Sequence, residues 1–258
     1  MLSAILHGKK KGTGLAGIRL KIGEAPGAED VLTATIFERI SYLPEEVFKQ
    51  FINNLLGYDA FGYLYDLEFW PSWEIGDYRV EPDVVLFDAT EQVIIVEAKR
   101  YDDIQQQYAR QLANEIFASF KIEINNPILL IIGGMTNYDK KEINNIKKQI
   151  DIELTRKSYK GSYRLCAKSW QKVYLTLEQT IQEAMNTPSL QRLLADIRAT
   201  YDWHGIRHKP MQWLSDIKPQ HLTHGDFPSF LGQRNPWKSL QPVYLNYEKF
   251  PSFLGEHS

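Results

Sequence analysis

Two short groups of residues in this chain, Pro82-Asp83 and Glu97-Ala98-Lys99, contain the side chains that metal-assisted hydrolysis requires. Mg²⁺ binds oxygen ligands, usually one or two carboxylates together with waters and substrate phosphate oxygens. Asp83 and Glu97 could supply the carboxylates, and the backbone carbonyl of Ala98 could supply a third oxygen. Lys99 could orient or deprotonate an attacking water or stabilise charge on a phosphate. We expect a nearby metal and partial burial to lower the pKa of Lys99.

These residues lie on two neighbouring segments with the composition of strands. The first runs over 78–87 and the second over 92–100, with the polar turn 88–91 between them. Strand side chains alternate between faces, so Glu97 and Lys99 point the same way. An apolar run follows the first acid and another precedes the second, which is typical of central strands buried on both faces. The sequence therefore predicts a hairpin that brings the two carboxylates together, whereas a lone acid or Glu-x-Lys pair would indicate only solvated charges.

The pattern resembles that of the PD-(D/E)XK nuclease superfamily, which has the restriction-endonuclease-like fold. Pro82-Asp83 matches the first half of the motif and Glu97-Ala98-Lys99 the second, without departure in residue type. The resemblance implies an α/β fold with an αβββαβ core, in which helices flank a mixed central sheet. It also implies a nuclease that uses Mg²⁺ or Mn²⁺ and acts on nucleic acid, with DNA as the expected substrate. Stand-alone bacterial members often serve genome defence or mobile-element biology.

The elements around the motif have the order that this core requires. A strand, a helix and a second buried strand imply a right-handed crossover to a parallel neighbour. We divide the chain into an N-terminal segment (1–24), a nuclease-like core (25–175), and C-terminal helices with an irregular aromatic and Pro-rich tail packed on the core (176–258). The other predicted elements are helices over 29–42, 102–122, 176–185 (capped by Thr176) and 187–201, a basic helix opened by Asp139-x-x-Glu142, and strands over 127–132 and 163–170.

Members of the resembled superfamily often carry a further acid, which can serve as a metal ligand, into the site from the first helix. Several branches also place a Gln, sometimes with a Tyr, on the crossover helix, where it contacts water or the phosphate of the nucleic acid. Glu29 and Glu38 are the candidate acids, and Glu29 is favoured because it falls on the apolar face of its helix. A helix N-terminal acid favoured by the helix dipole is the alternative for Glu29. Gln111 is the best candidate on the crossover helix, with Gln107 and Tyr108 also near its start. A polar helix face in water is the alternative for these three residues.

Composition indicates a globular protein with a substantial core: 258 residues, 43% hydrophobic and 24% charged, with a net charge of −2. The charge is unevenly distributed. Residues 74–103 contain nine acids and three bases, a net of −6, whereas residues 139–172 contain ten bases and four acids, a net of +6. This polarity is typical of an enzyme that binds a phosphate backbone beside a metal site. The alternative is that this segment is simply a solvated amphipathic helix, and the two interpretations are compatible. The candidate backbone ligands are Lys140, Lys141, Lys147 and Lys148.

The single cysteine, Cys166, excludes an internal disulfide and favours a reducing, cytoplasmic setting. It lies in an apolar run, and we expect it to be packed and unreactive. No apolar stretch approaches the ~20 residues of a membrane span, and the N-terminus does not resemble a signal peptide. We therefore expect no membrane partner.

The C-terminal region contains an identical hexapeptide twice, Phe-Pro-Ser-Phe-Leu-Gly at 227–232 and at 250–255. The two copies could pack apolar side chains into the core, or they could bind a partner protein or a second subunit in a homodimer. The spacing of His221 and His224 could serve zinc, but no second ligand pair is evident.

Two tryptophans before the acidic site, Trp70 and Trp73, could pack in the core or stack on unpaired bases.

Two other functions remain open for the whole chain. One is a scaffold or nucleic-acid-binding subunit that does not cleave, which the intact Asp83, Glu97 and Lys99 set disfavours. The other is a nuclease acting on RNA. No P-loop pattern is present, so any energy-driven step would need another polypeptide.

Overall fold

The computed structural model describes residues 28–210 except positions 77, 185 and 186. The segment predicted over 1–24, the repeated hexapeptides, and His221 and His224 lie outside the described residues. The described helices are α1 (Ala28–Ile40), α2 (Glu45–Leu56), α3 (Ala109–Lys121), α4 (Lys140–Arg156), α5 (Trp170–Glu183) and α6 (Pro188–His204). The strands are β1 (Leu64–Phe69), β2 (Trp73–Ile75), β3 (Tyr78–Val80), β4 (Val84–Asp88), β5 (Val93–Ala98), β6 (Ile128–Ile132) and β7 (Arg164–Lys168).

Five strands form the central sheet in the order β1-β4-β5-β6-β7. The β1-β4 and β4-β5 pairs are antiparallel, whereas β5-β6 and β6-β7 are parallel. The Asp88 carboxylate fixes the turn between β4 and β5 because it accepts the backbone N–H groups of Thr90 at 2.7 Å and Gln92 at 2.8 Å. The mixed sheet with α3 as a crossover helix confirms the predicted restriction-endonuclease-like fold class.

Helices cover both faces of the sheet, so the central strands are buried on both sides. Helices α3 and α4 pack on one face through Leu112, Ile116 and Ile150. Helices α1, α2, α5 and α6 cover the other face. Residues 84–86 of β4 and all of β5 are buried. This arrangement explains the continuous apolar runs beside the motif, because neither face of these strands reaches water.

The predicted strand over 78–87 is wrong, because the structure has two strands there. Tyr78–Val80 pairs with Trp73–Ile75 in a separate two-stranded sheet, and β4 begins only at Val84. Pro82 lies between the two strands, where it cannot donate a ladder hydrogen bond. Trp70 and Trp73 are buried, with 4% and 6% of their surfaces exposed, which supports core packing over base stacking.

Two predicted helices have the wrong start. The helix predicted over 102–122 begins at Ala109, because the preceding loop is held elsewhere: the N–H groups of Gln106 and Gln107 donate to the Gly134 carbonyl at 2.9 and 3.1 Å. The helix predicted over 176–185 is α5, which begins at Trp170 and is capped by Ser169. Thr176 is therefore a buried interior residue of α5 and caps nothing.

The structure confirms two predicted helix caps. Asp139 caps α4 by accepting the Glu142 N–H at 2.8 Å, and Thr187 caps α6. Helix α1 ends two residues before the predicted position, and α2 was not predicted at all. The proposed boundary at residue 175 falls inside α5, and the division into 1–24, 25–175 and 176–258 stays a prediction. In the part of the chain that the structure describes, no helix is both long and apolar enough to cross a membrane.

Candidate active site

The β4-β5 register places the two motif carboxylates side by side. Val84 pairs with Val96, so Asp83 lies opposite Glu97 one position further along the antiparallel ladder. Asp83 Oδ2 also accepts the backbone N–H of Ala98 at 2.8 Å. The hairpin thus brings both carboxyl groups and the Ala98 backbone to one end of the sheet.

Lys99 connects the Glu97 side chain of the sheet to helix α1. Its Nζ donates to Glu97 Oε1 at 2.5 Å and to Glu29 Oε1 at 3.2 Å. The other oxygen of Glu29 accepts the backbone N–H of Arg100 at 2.9 Å. Helix α1 therefore contributes Glu29 to this cluster, whereas Glu38 lies near the other end of the helix and lines a different cavity, beside β1.

Helix α3 and the loop before it approach Glu97 from the opposite side of the sheet. Gln111 Nε2 donates to Glu97 Oε1 at 2.6 Å. Gln107 lies before the helix and not within it, and its Nε2 is 3.4 Å from Glu97 O and 3.3 Å from Gly133 O. The structure therefore brings both glutamines to the predicted site, Gln111 at the side chain and Gln107 at the backbone.

Glu115 is a member of the cluster that the sequence reasoning missed. It is 1% exposed, and its carboxyl group lies within hydrogen-bonding reach of Glu97. The spacing could have indicated Glu115 as a site residue, because it follows Gln111 by four positions and so lies on the same helix face. Acids are rarely fully buried, so Glu115 is unusual among the buried residues of α3.

Burial dominates the electrostatics of the carboxyl groups. It raises the pKa of Asp83 and of Glu115 well above the ordinary values, and repulsion from Glu97 adds to both effects. Burial also raises the pKa of Glu97, although Lys99 and the hydrogen bonds from its neighbours partly oppose the rise. Several acids so close together cannot all ionise without a compensating cation.

The expected lowering of the Lys99 pKa is not observed in this structure. Burial does act to lower the pKa of Lys99, but the attraction of Glu97, Glu29 and Asp83 outweighs it and raises the pKa above the ordinary value. The reason is the number of acids around one ammonium group. Lys99 is therefore a charged hydrogen-bond donor here.

The donor set fits a hard cation such as Mg²⁺. Asp83 and Glu97 offer carboxylate oxygens, and no N–H group of the described residues donates to the buried Glu97 Oε2. Within that same part of the chain, no group of three His, Cys, Asp or Glu side chains is arranged as a metal cluster. Two carboxylates and a carbonyl nevertheless agree with Mg²⁺ chemistry, because waters and substrate phosphates usually complete its coordination.

The loop after β6 fixes the backbone and stem of Lys99. The Lys99 N–H donates to Ile132 O at 2.7 Å, and its carbonyl accepts the Trp170 Nε1–H at 2.8 Å. Gly133 and Gly134 both have φ of +68°. A Cβ on Gly133 would lie 2.0 Å from the Lys99 carbonyl oxygen, and one on Gly134 would lie 2.7 Å from the Lys99 Cβ. Only glycine fits at either position.

The remaining predicted residues lie outside this cluster. Tyr108 is 65% exposed and precedes α3. Lys140, Lys141 and Lys148 are exposed on α4, and Lys147 pairs with Asp151 at 2.9 Å. These lysines form a separate basic surface, and their role in binding stays a prediction.

The sheet, its crossover helix and the acid-lysine cluster define a restriction-endonuclease-like protein of the PD-(D/E)XK superfamily. The chain belongs to the ERCC4 domain family within it, whose domain matches residues 70–212. This is a nuclease-type family that acts on nucleic acids. The chain is also 49% identical over 243 residues to the uncharacterized protein PM0110 of Pasteurella multocida (strain Pm70), covering 93% of this chain and 94% of that protein.

Proposed function

We propose that the protein is a metal-dependent nuclease that hydrolyses phosphodiester bonds of DNA, with Mg²⁺ or Mn²⁺ as its cofactor. The observation that carries the proposal is the meeting of Asp83, Glu97 and Lys99 at one end of the sheet, within a family of nuclease type. A bacterial role in genome defence or mobile-element biology remains part of the proposal through the resemblance alone.

The position of each residue in the cluster suggests a separate role in binding the cation or in catalysis. Asp83, Glu97 and the Ala98 carbonyl would hold the cation, and Glu29 would hold Lys99 from the side of α1. A divalent cation, when bound, polarises a scissile phosphate and lowers the pKa of a bound water. Lys99 would orient the attacking water and stabilise the charge that grows on the phosphate. Gln111 would keep the Glu97 side chain in place through its hydrogen bond.

Cleavage assays test this proposal directly. Supercoiled plasmid, linear duplex and single-stranded DNA are incubated with Mg²⁺ or Mn²⁺, and the wild type is compared with Lys99→Ala. The matched control is Lys121→Ala, which removes a lysine from the exposed end of α3. We expect cleavage that requires metal, survives in the control and falls by at least about 100-fold in Lys99→Ala.

Each other result has a defined meaning. Activity that survives in Lys99→Ala would show that the site assignment is wrong. Inactivity of the wild type on all three DNA forms, with cleavage of an RNA substrate, would replace DNA by RNA. Inactivity on every substrate, with retained binding, would favour a subunit that binds nucleic acid without cutting it.

A further inference from the structure

Arg100, which directly follows Lys99, carries a buried charge with few partners. Only 5% of its surface is exposed. Its Nη2 donates to the carbonyl of His204 at 2.9 Å, while Nε and Nη1 have no hydrogen-bond partner among the described residues. Among the described residues, no carboxylate forms an ion pair with it. A guanidinium taken out of water without an anion is unfavourable, so this position favours a negatively charged ligand.

The charge of Arg100 lies in the wall of a cavity of about 720 Å³. Arg100 connects the cavity to the candidate active site, because its backbone N–H donates to the Glu29 carboxylate that also accepts Lys99 Nζ. Two exposed cations, Arg207 and Lys209, also line it, and Ser169 adds a hydroxyl group. Tyr101 lies over Arg100, with the guanidinium carbon 5.3 Å from the ring centroid.

The acids of this cavity have partners of their own. Asp102 accepts the N–H groups of Trp170 and Gln171 at 2.6 and 3.1 Å, at the beginning of α5. Asp202 is 3.1 Å from the ring of His208. The lining therefore has three cationic side chains, Arg100, Arg207 and Lys209, and its formal charge is balanced by the three carboxylates. Asp102 and Asp202 are held by their own partners, whereas the Arg100 guanidinium has no ion-pair partner among the described residues, so an anion is favoured on the Arg100 side of the cavity.

We infer that this cavity binds a phosphate group of the nucleic-acid backbone, next to the phosphate that is cleaved. The inference rests on the proposed nuclease function and names a part of the substrate site. Arg207 and Lys209 contact the phosphate at the cavity mouth, and Arg100 supplies a fixed positive charge from the wall. Arginine suits this role because it stays charged and presents several donors to phosphate oxygens.

Salt-dependent binding tests the inference without relying on cleavage. The Lys99→Ala protein is titrated, without divalent metal, against a fluorescein-labelled DNA duplex at increasing KCl concentrations. The double substitution Arg207→Ala/Lys209→Ala is compared with Arg192→Ala/Arg198→Ala, which removes the same charge from exposed positions on α6. We expect the first pair to reduce the slope of log K against log salt by about 1, with roughly tenfold weaker binding at low salt, and the second pair to change neither.

Variants of the buried Arg100 give an independent measurement of duplex binding. Arg100→Lys keeps the charge and Arg100→Gln removes it, and only variants with a wild-type circular dichroism spectrum are compared. We expect the Gln variant to bind the duplex more weakly than the Lys variant. Equal salt slopes for the two double variants, in a protein that binds and cleaves DNA, would overturn this inference and leave the nuclease proposal intact. A wild type that neither binds nor cleaves DNA or RNA would instead overturn the proposed function.

Discussion

The contact between Gly134 and Lys99 predicts that a single methyl group will inactivate the proposed site. An alanine Cβ at position 134 would lie 2.7 Å from Lys99 Cβ and 2.8 Å from Lys99 Cγ, whereas ordinary contact begins at 3.4 Å. The Lys99 stem must therefore move by about 0.7 Å, the difference between 3.4 and 2.7 Å. A displacement near 1 Å at a reacting group can cost on the order of 100-fold in rate. We expect Gly134→Ala to lower kcat by about 10–100-fold.

The stability cost of the same change is separable from its effect on rate. Gly134 has φ of +68°, and an L-residue in the left-handed region loses about 1–2 kcal/mol. That loss lowers Tm by about 2–8 °C in a domain of this size. Gly57 is the matched control, because it has φ of +88° but no heavy atom within 4 Å of an added Cβ. Gly57→Ala should thus lose the stability that positive φ costs, without the added overlap with Lys99, and keep full activity.

The assay measures plasmid cleavage by the wild type and both variants at a temperature where all three are folded. Binding of the duplex without metal is measured in parallel, to separate kcat from affinity. We expect Gly134→Ala to bind normally and cleave slowly. The reasoning is refuted if Gly134→Ala cleaves within about threefold of Gly57→Ala, or if both lose activity equally.

Three further changes test the described contacts. Gln111→Ala removes the 2.6 Å hydrogen bond to Glu97, and we expect about a tenfold or greater loss of cleavage rate with normal duplex binding, measured under single-turnover conditions; an unchanged rate would contradict the role of Gln111. Tyr201→Phe removes the 2.9 Å hydrogen bond to Trp170 O, and urea unfolding at neutral pH should show a loss of about 1–2 kcal/mol. Burial raises the pKa of Tyr201 in the folded state. The stability that the neutral Tyr201 side chain contributes is therefore present below the ordinary tyrosine pKa of 10.0 and is lost as pH rises through the folded-state pKa. The Phe variant should accordingly lose less stability than the wild type at alkaline pH. Burial also raises the pKa of the Cys166 thiol, so a thiol reagent at mildly alkaline pH should label the native protein slowly and the urea-unfolded protein rapidly, and fast native labelling would contradict its packing.

The central hairpin could be read from the sequence because the relevant signals are local. Four apolar residues follow Asp83 and four precede Glu97, and a polar turn separates the two runs. Strand alternation then fixes which side chains share a face, and the observed pairing of Val84 with Val96 agrees with it. The cap of α4 at Asp139 was equally readable, because its partner lies three residues away.

Features fixed by long-range contacts could not be read in this way. The segment before α3 has a helical composition, but the Gly134 carbonyl takes the N–H groups of Gln106 and Gln107 and holds them in a loop. The division of the predicted strand over 78–87 likewise depends on pairing of its first part with β2. The role of Gly133 and Gly134 could not be predicted from the sequence, because Lys99, which they contact, precedes Gly133 by 34 positions.

The charge balance of the cluster explains why the fold keeps an arrangement that is unfavourable by itself. Glu29, Asp83, Glu97 and Glu115 surround a single cation, Lys99, and burial opposes ionisation of the three deepest acids. A structural ion pair would need only one acid for one lysine. The additional carboxyl groups are therefore not explained by packing, because apolar residues would pack there at a lower cost in free energy. An excess of buried oxygen ligands is instead what binding a divalent cation requires. Arg100, the next residue in the chain, is a buried cation without an ion-pair partner among the described residues, so under the two proposals a cation would meet the carboxylates and a phosphate would meet Arg100.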